Sequence, residues 1–276
     1  MKKRKTKSIL KFYGLLVIAF LIIFPVVWFF LLSIKSQRVA FASPPPLIFT
    51  PTLSAYKEVF FSYRSLFPKY LMNSVIIASA NTIFCLLVGL PAAYSFVRFR
   101  FKGRKHFMVW ILIVRMFPPI AMILPLYLIV NRLRLLDTHL SLILAYMIYN
   151  LPFVIWTMKG FLQEIPQDLD ESAMIDGCSR LGAFYRVVLP LATPGLIVTS
   201  VLNFILSWNE FMWASVLTGV NAKTMTVAIA GFWTNVTLDW TKIGAASTVF
   251  ILPPLIIVLF FRNYMVRGLT MGAVKG

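Results

Sequence analysis

Long apolar runs separated by short polar segments make up the pattern of hydrophobic and polar positions along this chain. A helix that crosses a membrane needs about 20 mostly apolar residues, because each residue adds only about 1.5 Å to its length. The pattern therefore predicts an all-α membrane protein with six transmembrane helices, which cover residues 12–34, 70–97, 107–130, 139–158, 194–217 and 243–261.

The basic residues between these runs predict the orientation of the chain. Six Lys and Arg lie within the first 11 residues, and five lie between residues 98 and 106, whereas the loops 35–69 and 131–138 are poorer in both for their length. Because basic residues resist translocation, the chain is expected in the cell membrane with both termini in the cytoplasm. The first run is too long for a signal peptide and lacks a small-x-small cleavage site, so it is expected to remain as a helix.

Composition narrows the class of partner. Hydrophobic residues make up 59% of the chain, charged residues make up 13%, and the mean hydropathy is +0.83. A net charge of +18 would favour nucleic acid as the partner of a soluble protein, but here the charge lies beside apolar runs, where it faces anionic lipid. A lipid bilayer is therefore expected and nucleic acid is not. Neither Cys85 and Cys178 nor the two histidines have metal-ligand spacing, so no metal site is expected.

Proline is frequent inside the predicted spans. Each proline removes a backbone donor and bends or breaks a helix. Two interpretations remain open, namely ordinary kinks, or broken helices around a translocation path that alternates between two states. The prolines concerned are Pro25, Pro91, Pro118, Pro119, Pro125, Pro152, Pro253 and Pro254.

The segment between the fourth and fifth spans, residues 159–193, departs from the charge rule because it is net acidic. Pro166 suits the start of a helix, and Asp168, Asp170 and Glu171 then fall in its first turn, where carboxylates complement the helix dipole. A cytoplasmic segment of this length and charge is expected to be a folded docking surface rather than a simple connector.

A glycine divides this segment into two short helices. Gly177 suits a left-handed residue that ends the first helix at Asp176, and Ser179 suits the N-cap of the second. Pro190 is expected to stop the second helix. Such a helix pair can insert into a cleft of a soluble partner and transmit rigid-body motion. The apolar stripe of the second helix is expected to comprise Leu181, Phe184, Tyr185 and Val188.

The spacing in this segment resembles the EAA motif of ABC importer permeases, Glu-Ala-Ala-x3-Gly-x9-Ile-x-Leu-Pro. The chain has Glu171-Ser172-Ala173, Gly177 and Val187-Val188-Leu189-Pro190 at the same spacing, with Ser and Val replacing one Ala and the Ile. The resemblance implies that residues 159–193 form a coupling loop, which docks into a groove of the ATP-hydrolysing subunit. The coupling residues so implied are Glu171, Ser172, Ala173, Asp176, Gly177, Leu189 and Pro190.

The resemblance extends over nearly the whole chain and is to permeases of maltose-type carbohydrate importers. Residues 115–119, 151–156 and 207–211 look like parts of that family's spans. The tail 262–276 is similar to the family's C-terminal signature, at Gly268, Gly272 and Lys275. The resemblance implies a type I ABC importer permease fold in one domain, 1–276. It also implies three kinds of partner: a second homologous permease, two ATP-binding cassette ATPase subunits and an extracellular sugar-binding protein.

Ionisable and aromatic residues at membrane depth are the candidates for the substrate path. A charged group at mid-bilayer costs at least about 2.5 kcal/mol, so Arg115 and Glu210 are functional candidates. Trp208 and Asn209 beside Glu210 add the ring and polar groups that suit sugar hydroxyls. Two questions remain open: whether Glu210 is instead a buried carboxylate that fixes two helices, and whether Arg115 pairs with Glu210 or with the second permease.

The loop 218–242 holds the candidate contact with the binding protein. By the resemblance, Trp233, Asp239 and Trp240 approach the docked binding protein. The alternative is an aromatic belt at the membrane interface.

The energy for transport is expected to come from outside this chain. No Gly-x4-Gly-Lys-Ser/Thr sequence occurs, so the chain is expected to bind no cofactor and to have no enzymatic activity, with ATP and Mg²⁺ held by the partner ATPase subunits. The expected function is that of the membrane-spanning permease subunit of an ATP-driven carbohydrate importer. The alternative is an ion-coupled secondary transporter of a small polar solute. Which sugar is carried, and which permease holds most of its site, stay open.

Overall fold

The computed structural model describes residues 2–44, 46–233 and 238–271, and it describes the side chains of 11–44, 46–233 and 238–266. Over these ranges the fold is helical, and an isolated antiparallel bridge between Trp233 and Leu238 is the β-structure recorded there. Two π-helical turns occur, Lys57–Phe61 and Phe184–Val188. The α-helices are α1 Lys2–Ser33, α2 Gln37–Ala40, α3 Ser54–Tyr56, α4 Phe67–Arg98, α5 Arg104–Met116, α6 Pro119–Arg132, α7 His139–Gln163, α8 Asp168–Ile175, α9 Arg180–Ala183, α10 Leu189–Leu191, α11 Thr193–Trp208, α12 Met212–Leu217, α13 Met225–Ala230 and α14 Trp240–Met271.

Four helices in the described ranges are each long and apolar enough to cross a membrane. They are Lys11–Ser33, Phe67–Arg98, His139–Gln163 and Trp240–Val266. Two bent pairs raise the number to six if each pair is one span: α5 with α6, bent by 94°, and Arg180–Leu191 with α11, bent by 76°. The prediction of an all-α membrane protein is confirmed.

Some prolines of this chain lie at a break between helices, and others lie inside continuous helices. The helix breaks between α5 and α6 at Phe117 and Pro118, because the residue before a proline is driven to extended geometry, and Phe117 has φ −68° and ψ 133°. The prolines within α1, α4, α7 and α14 lie in continuous helices. The structure thus contains both continuous helices with internal prolines and a helix broken at a proline; that the broken helix surrounds a translocation path stays a prediction.

The predicted span 194–217 is not one continuous helix. It ends as α11 at Trp208 and resumes as α12 at Met212. At the break, the carboxylate of Glu210 accepts hydrogen bonds from the backbone N–H groups of Trp213 and Ala214, at 2.9 and 3.2 Å, and so satisfies two donors in the first turn of α12.

The chain divides into two compact units, residues 1–69 with 228–252 and residues 70–227 with 253–276. That the whole chain is a single transmembrane domain stays a prediction. In the first unit, α14 packs closely on α1: a Cβ on Gly244 would lie 2.8 Å from the backbone nitrogen of Ser33, so glycine alone permits this approach. Lys242 Nζ lies 3.0 Å from a carboxylate oxygen of both Glu58 and Asp239, which joins α14 to the loop before α4.

The second unit is built on α4, α7 and α11. Gly89 on α4 lies against Val154 on α7, where an added Cβ would come within 2.7 Å of a methyl carbon. The same core reaches the π turn of the coupling loop through fully or nearly fully buried side chains, namely Cys85, Val154, Met158, Phe184 and Val188. The coupling loop is therefore packed onto the membrane helices of its own unit.

Candidate functional site

The first helix of the coupling loop ends as predicted. Gly177 has φ +88°, in the left-handed region. Its N–H donates to the carbonyl of Met174 at 3.1 Å, and the N–H of Cys178 donates to the carbonyl of Ala173 at 3.0 Å. These two bonds form a Schellman motif, which satisfies the last carbonyls of α8 and turns the chain sharply.

The second helix starts as predicted and ends one residue after the predicted position. Ser179 Oγ accepts a hydrogen bond from the N–H of Gly182 at 3.1 Å, which confirms the N-cap. The helix then passes through the π turn and continues past Pro190 to Leu191. Pro190 follows the π turn directly, and the helix ends one residue after it, where the chain bends by 76° into α11.

The predicted apolar stripe is divided between two faces because the π turn changes the periodicity. Phe184 and Val188 are buried, whereas Leu181 is 70% and Tyr185 is 59% exposed. Ile175 at the end of α8 is 85% exposed. The coupling loop thus presents large apolar side chains that the described part of this chain does not cover. Among the other predicted coupling residues, Glu171, Ser172, Asp176, Gly177 and Pro190 are exposed, Leu189 is half-buried and Ala173 is buried.

A buried ion pair joins the coupling loop to α4, and the sequence analysis missed it. Arg98, the last residue of α4, places Nε against Oδ2 of Asp170 on α8, with side-chain exposures of 7% and 5%. The contact is an ion pair without hydrogen-bond geometry, since the two atoms have no hydrogen-bond partner. Arg98 Nη2 also donates to the carbonyl of Ile165 at 3.0 Å. The signal in the sequence was the position of Asp170 on the same helical face as Ala173, which is buried.

Buried amides form a second cluster that was missed. Asn81 on α4 accepts hydrogen bonds from Asn150 Nδ2 on α7 and from Ser207 Oγ on α11, both at 2.9 Å, and donates to the carbonyl of Ile143 at 2.9 Å. Asn203 Nδ2 donates to the same oxygen at 3.4 Å. These four side chains, called the amide cluster here, join three membrane helices. Their positions as polar residues inside apolar runs were the available signal.

Arg115 and Glu210 line one cavity of about 240 Å³ in the second unit. Its polar lining combines phenol, amide and charged groups, and its apolar lining includes an indole ring. The other lining residues are Pro119, Tyr146, Tyr149, Asn150, Leu206, Met212 and Trp213. Because Asn150 belongs to both, the cavity adjoins the amide cluster.

The ion pair considered between Arg115 and Glu210 is not formed in the described ranges. Arg115 Nη1 donates to the carbonyl of Tyr149 at 2.7 Å, and its guanidinium lies over the rings of Tyr149 and Phe153, at 5.3 and 5.5 Å. The carboxylate of Glu210 caps α12, and the hydroxyl of Tyr146 lies next to it without ordinary hydrogen-bond geometry. Each charge is therefore compensated on its own side of the cavity.

The two neighbours of Glu210 do not line this cavity. Trp208 is buried and stacks on Phe204 with a centroid distance of 5.6 Å. Asn209 is exposed, and its Nδ2 donates to the carbonyl of Ile205 at 2.9 Å. Their place in a substrate path stays a prediction.

The candidate contacts with a binding protein differ in exposure. Trp233 is 76% and Trp240 is 37% exposed. Asp239 faces its own helix, because Oδ1 accepts hydrogen bonds from Lys242 N and Thr241 Oγ1, at 3.1 and 2.9 Å. Burial raises the pKa of Asp239, but these bonds and Lys242 outweigh it and hold the pKa below its ordinary value.

The C-terminal prediction is only partly within the described structure. Gly268 lies in α14, whereas Gly272 and Lys275 lie outside the described residues. In the described ranges, no three His, Cys, Asp or Glu side chains cluster in the manner of metal ligands.

A polar contact that the sequence did not predict closes the loop after α12. Asp137 accepts four backbone hydrogen bonds, from residues 219–222, at 2.9 to 3.0 Å. Burial raises the pKa of this carboxyl, but the four N–H donors outweigh it and lower the pKa to about 2. Asp137 itself has φ +57°.

Comparison with known proteins decides the family. The family model described as "binding-protein-dependent transport system inner membrane component" matches residues 85–271, more than half of the chain. This chain belongs to that family. It is an inner-membrane permease component of an ABC importer, a transport subunit rather than an enzyme, and it works with the other components of such a transporter. Family membership favours this function over an ion-coupled secondary transporter.

Relatives of similar length cover essentially the whole permease. The chain is 35% identical to the trehalose/maltose transport system permease protein MalG of Thermococcus litoralis, over all of both chains. It is also 35% identical to the diacetylchitobiose uptake system permease protein DasC of Streptomyces coelicolor, over 92% of each chain.

Solved structures show the same fold. A crystal structure of a bacterial ABC transporter involved in the import of the acidic polysaccharide alginate has a TM-score of 0.77 and 24% identity, over 96% of the permease and 98% of that chain. The MetNI methionine ABC transporter in an inward-facing conformation has a TM-score of 0.61 and 18% identity, over 73% of the permease and 95% of that chain. The expected type I importer permease fold is confirmed.

Proposed function

We propose that this permease imports a carbohydrate that an extracellular binding protein delivers, and that the coupling loop receives the motion of partner ATPase subunits. The single observation that carries the proposal is the exposed face of the coupling loop. Ile175, Leu181 and Tyr185 are large apolar side chains held outward by two capped short helices. When a partner covers apolar surface of this kind, the complex gains about 25 cal/mol of free energy for each Å² of apolar surface removed from water.

The proposed partners are those of a binding-protein-dependent ABC importer. The full assembly contains a second homologous permease and two ATP-binding cassette ATPase subunits, with ATP and Mg²⁺ on the ATPases and no cofactor on this chain. Both termini and the coupling loop lie in the cytoplasm, which agrees with the dense Lys and Arg at residues 2–11 and 98–106. Trp233 supplies an exposed ring for the binding protein.

Carbohydrate is supported as the cargo by two independent points. Relatives that align with the whole chain are named for trehalose, maltose and diacetylchitobiose uptake. The cavity between Arg115 and Glu210 is lined by the phenol and indole rings of Tyr146, Tyr149 and Trp213, together with the amide of Asn150. Rings that present a flat apolar face beside polar groups suit the mixed apolar and hydroxyl surfaces of a sugar.

The motion imposed on the coupling loop is a shift between two states. ATP binding closes the ATPase dimer, draws the helix pair inward and opens the membrane path outward. The 94° bend between α5 and α6 provides irregular backbone of the kind such a path needs, whereas the 76° bend lies where the coupling loop meets α11.

The first experiment is gentle purification of the tagged permease from its native membrane, followed by mass spectrometry of the bound proteins. We expect a second permease and an ATPase to be recovered. The assembly is then reconstituted in liposomes with its binding protein, and uptake of labelled trehalose, maltose, diacetylchitobiose and methionine is measured with and without ATP.

The expected result is ATP-dependent, ionophore-insensitive uptake of at least one disaccharide and none of methionine. Recovery of the permease without an ATPase would contradict the coupling role. Uptake of methionine alone, with no disaccharide carried, would instead contradict the carbohydrate assignment and leave the coupling role standing.

A further inference from the structure

The cytoplasmic end of α4 makes three separate contacts with the coupling loop. Tyr94 lies 4.7 Å from Phe184 between ring centroids. Arg98 pairs with Asp170 and is buried. The guanidinium of Arg180 on α9 lies 5.2 Å from the ring centroid of Phe99, the residue that follows α4. Both short helices of the coupling loop are thus held by the same end of one membrane helix.

The ion pair is the contact that fixes direction. Ring contacts tolerate sliding, whereas the Arg98 guanidinium is held at two points, by the charge of Asp170 on α8 and by a hydrogen bond to the carbonyl of Ile165 just before α8. Two points of attachment restrict the angle between α4 and α8. A buried ion pair is weak evidence for stability, because an apolar pair of similar volume often stabilises a protein as well. What the ion pair adds over an apolar pair is a specific pairing of two charged groups, Arg98 with Asp170.

The same helix carries motion onward. Asn81 lies on α4, and its side chain bonds to Asn150 on α7 and to Ser207 on α11. A displacement of the cytoplasmic end of α4 is therefore passed to the two helices that line the cavity through Asn150 and Leu206. Packed helices and satisfied hydrogen bonds move as units, because cores do not deform continuously.

We propose that Arg98 and Asp170 are positioning residues for transport: their ion pair holds the coupling loop at a fixed angle to α4, so that movement of the loop by the ATPase moves the cavity-lining helices. This inference rests on the coupling role proposed above. Neither residue lines the cavity that holds Arg115 and Glu210. Their effect is on how much transport each hydrolysed ATP produces.

The test uses the complete importer with its binding protein in liposomes. Two single variants, Asp170→Asn and Arg98→Gln, each remove one charge. The double variant Arg98→Met with Asp170→Leu removes both charges, which avoids an unpaired buried charge and preserves folding. Arg100→Gln and Glu164→Gln are matched controls, since both side chains are exposed. The measured quantity is ATP hydrolysed per substrate molecule transported, normalised to assembled complex.

We expect the single variants to raise the ATP used per substrate by about tenfold, and the controls to leave it unchanged. The double variant is expected to assemble with the ATPase at wild-type level and still to show the raised ratio. This outcome would show that the ion pair holds the coupling loop at its angle to α4 and does not merely stabilise the permease.

A double variant with both wild-type assembly and a wild-type ratio would overturn the inference, because the ion pair would then be structural only. So would single variants that assemble less but keep the ratio. If a single variant does not assemble, the double variant decides alone. Failure of the wild-type permease to retain an ATPase is a different result, which contradicts the proposed function rather than the role of the ion pair.

Discussion

Two regions of the second unit place polar and apolar groups in opposite ways. In the amide cluster, the polar side chains of Asn81, Asn150 and Ser207 are buried and bond to one another. In the coupling loop, Ile175 and Leu181 are apolar and exposed. The first region forms its hydrogen bonds within this chain, whereas the second has apolar surface that the described part of this chain leaves uncovered. The difference shows that the contacts of the amide cluster form when the permease folds, whereas the exposed face of the coupling loop is left to form contacts when the importer assembles.

The energetic logic of the two regions also differs. A buried amide contributes little net stability when paired but costs about 1–3 kcal/mol when its partner is lost. An exposed apolar side chain contributes almost nothing to folding and gains free energy on docking. Substitutions in the cluster should therefore act on the folded permease, and substitutions in the coupling loop should act on assembly and transport.

The largest effect is expected from Asn81→Leu. This change leaves the Asn150 amide and the Ser207 hydroxyl without their shared acceptor, so the free energy of unfolding should fall by about 2 kcal/mol. Thermal unfolding of the purified permease in detergent measures it. The matched control is Asn131→Leu, at an exposed position in the last turn of α6. Equal loss in both variants would refute the importance of the cluster.

A smaller effect is expected from Gly177→Ala. Nothing lies within 4 Å of a Cβ added at Gly177 or at Gly160, but only Gly177 has a positive φ, +88°. Alanine in the left-handed region costs about 1–2 kcal/mol, which corresponds to roughly a tenfold loss of the turned arrangement. ATP-dependent uptake should fall accordingly in Gly177→Ala and be unchanged in Gly160→Ala. Equal uptake in both variants would show that the left-handed turn is dispensable.

Asp137→Asn extends the comparison to a polar side chain whose hydrogen bonds are made to the backbone of a loop. An amide retains one acceptor oxygen for four N–H donors, so stability near pH 6 should fall by about 1 kcal/mol. The folded pKa is about 2 against an ordinary 3.8. Because the folded pKa is lowered, the wild-type contribution is full above about pH 4 and is lost as the pH falls towards 2.

The unfolding midpoints of wild type and Asp137→Asn should therefore converge as the pH is lowered from 6 towards 2. Asp168→Asn, which changes an exposed carboxylate at the start of α8, serves as control. A difference between wild type and Asp137→Asn that is constant across this range would argue against the role of the Asp137 charge.

The smallest effect on folding is expected from Ile175→Ser and Leu181→Ser. Each should change the free energy of unfolding by less than about 0.5 kcal/mol, because both side chains are already exposed. The affinity of the permease for the ATPase should nevertheless fall by about tenfold. Co-purification of the two subunits at a series of increasing detergent concentrations measures this affinity. Ile48→Ser, at a residue that is 96% exposed in the loop between α2 and α3, should leave that affinity unchanged. If Ile175→Ser and Leu181→Ser lowered the free energy of unfolding without lowering the affinity for the ATPase, these residues would act on folding rather than on assembly.

Local features were predictable because their causes lie within a few residues. The left-handed Gly177 and the Ser179 cap each depend on backbone groups of the same turn, and both are confirmed. The π turn Phe184–Val188, which divides the predicted apolar stripe between two faces, was not predicted. A π turn has no composition signal as clear as a capping serine or a glycine turn.

Pairings between distant residues were not predictable in the same way. The sequence shows Arg98, Asp170 and Asn81 as polar residues in or beside apolar helices, but their partners lie on other helices. The pair considered from the sequence, Arg115 with Glu210, is replaced by local compensation through the Tyr149 carbonyl and the start of α12. Charge and membrane depth identify a candidate but not its partner.

The sequence by itself determined that this protein is an all-helical membrane chain with a capped helix pair between its fourth and fifth spans, because hydrophobic run length, caps and turn glycines act locally. The tertiary structure alone decided which buried polar groups meet, which face of the coupling loop stays exposed and which residues share the cavity. Those outcomes depend on how helices approach one another in space, and that geometry is set by the packing of all of them together.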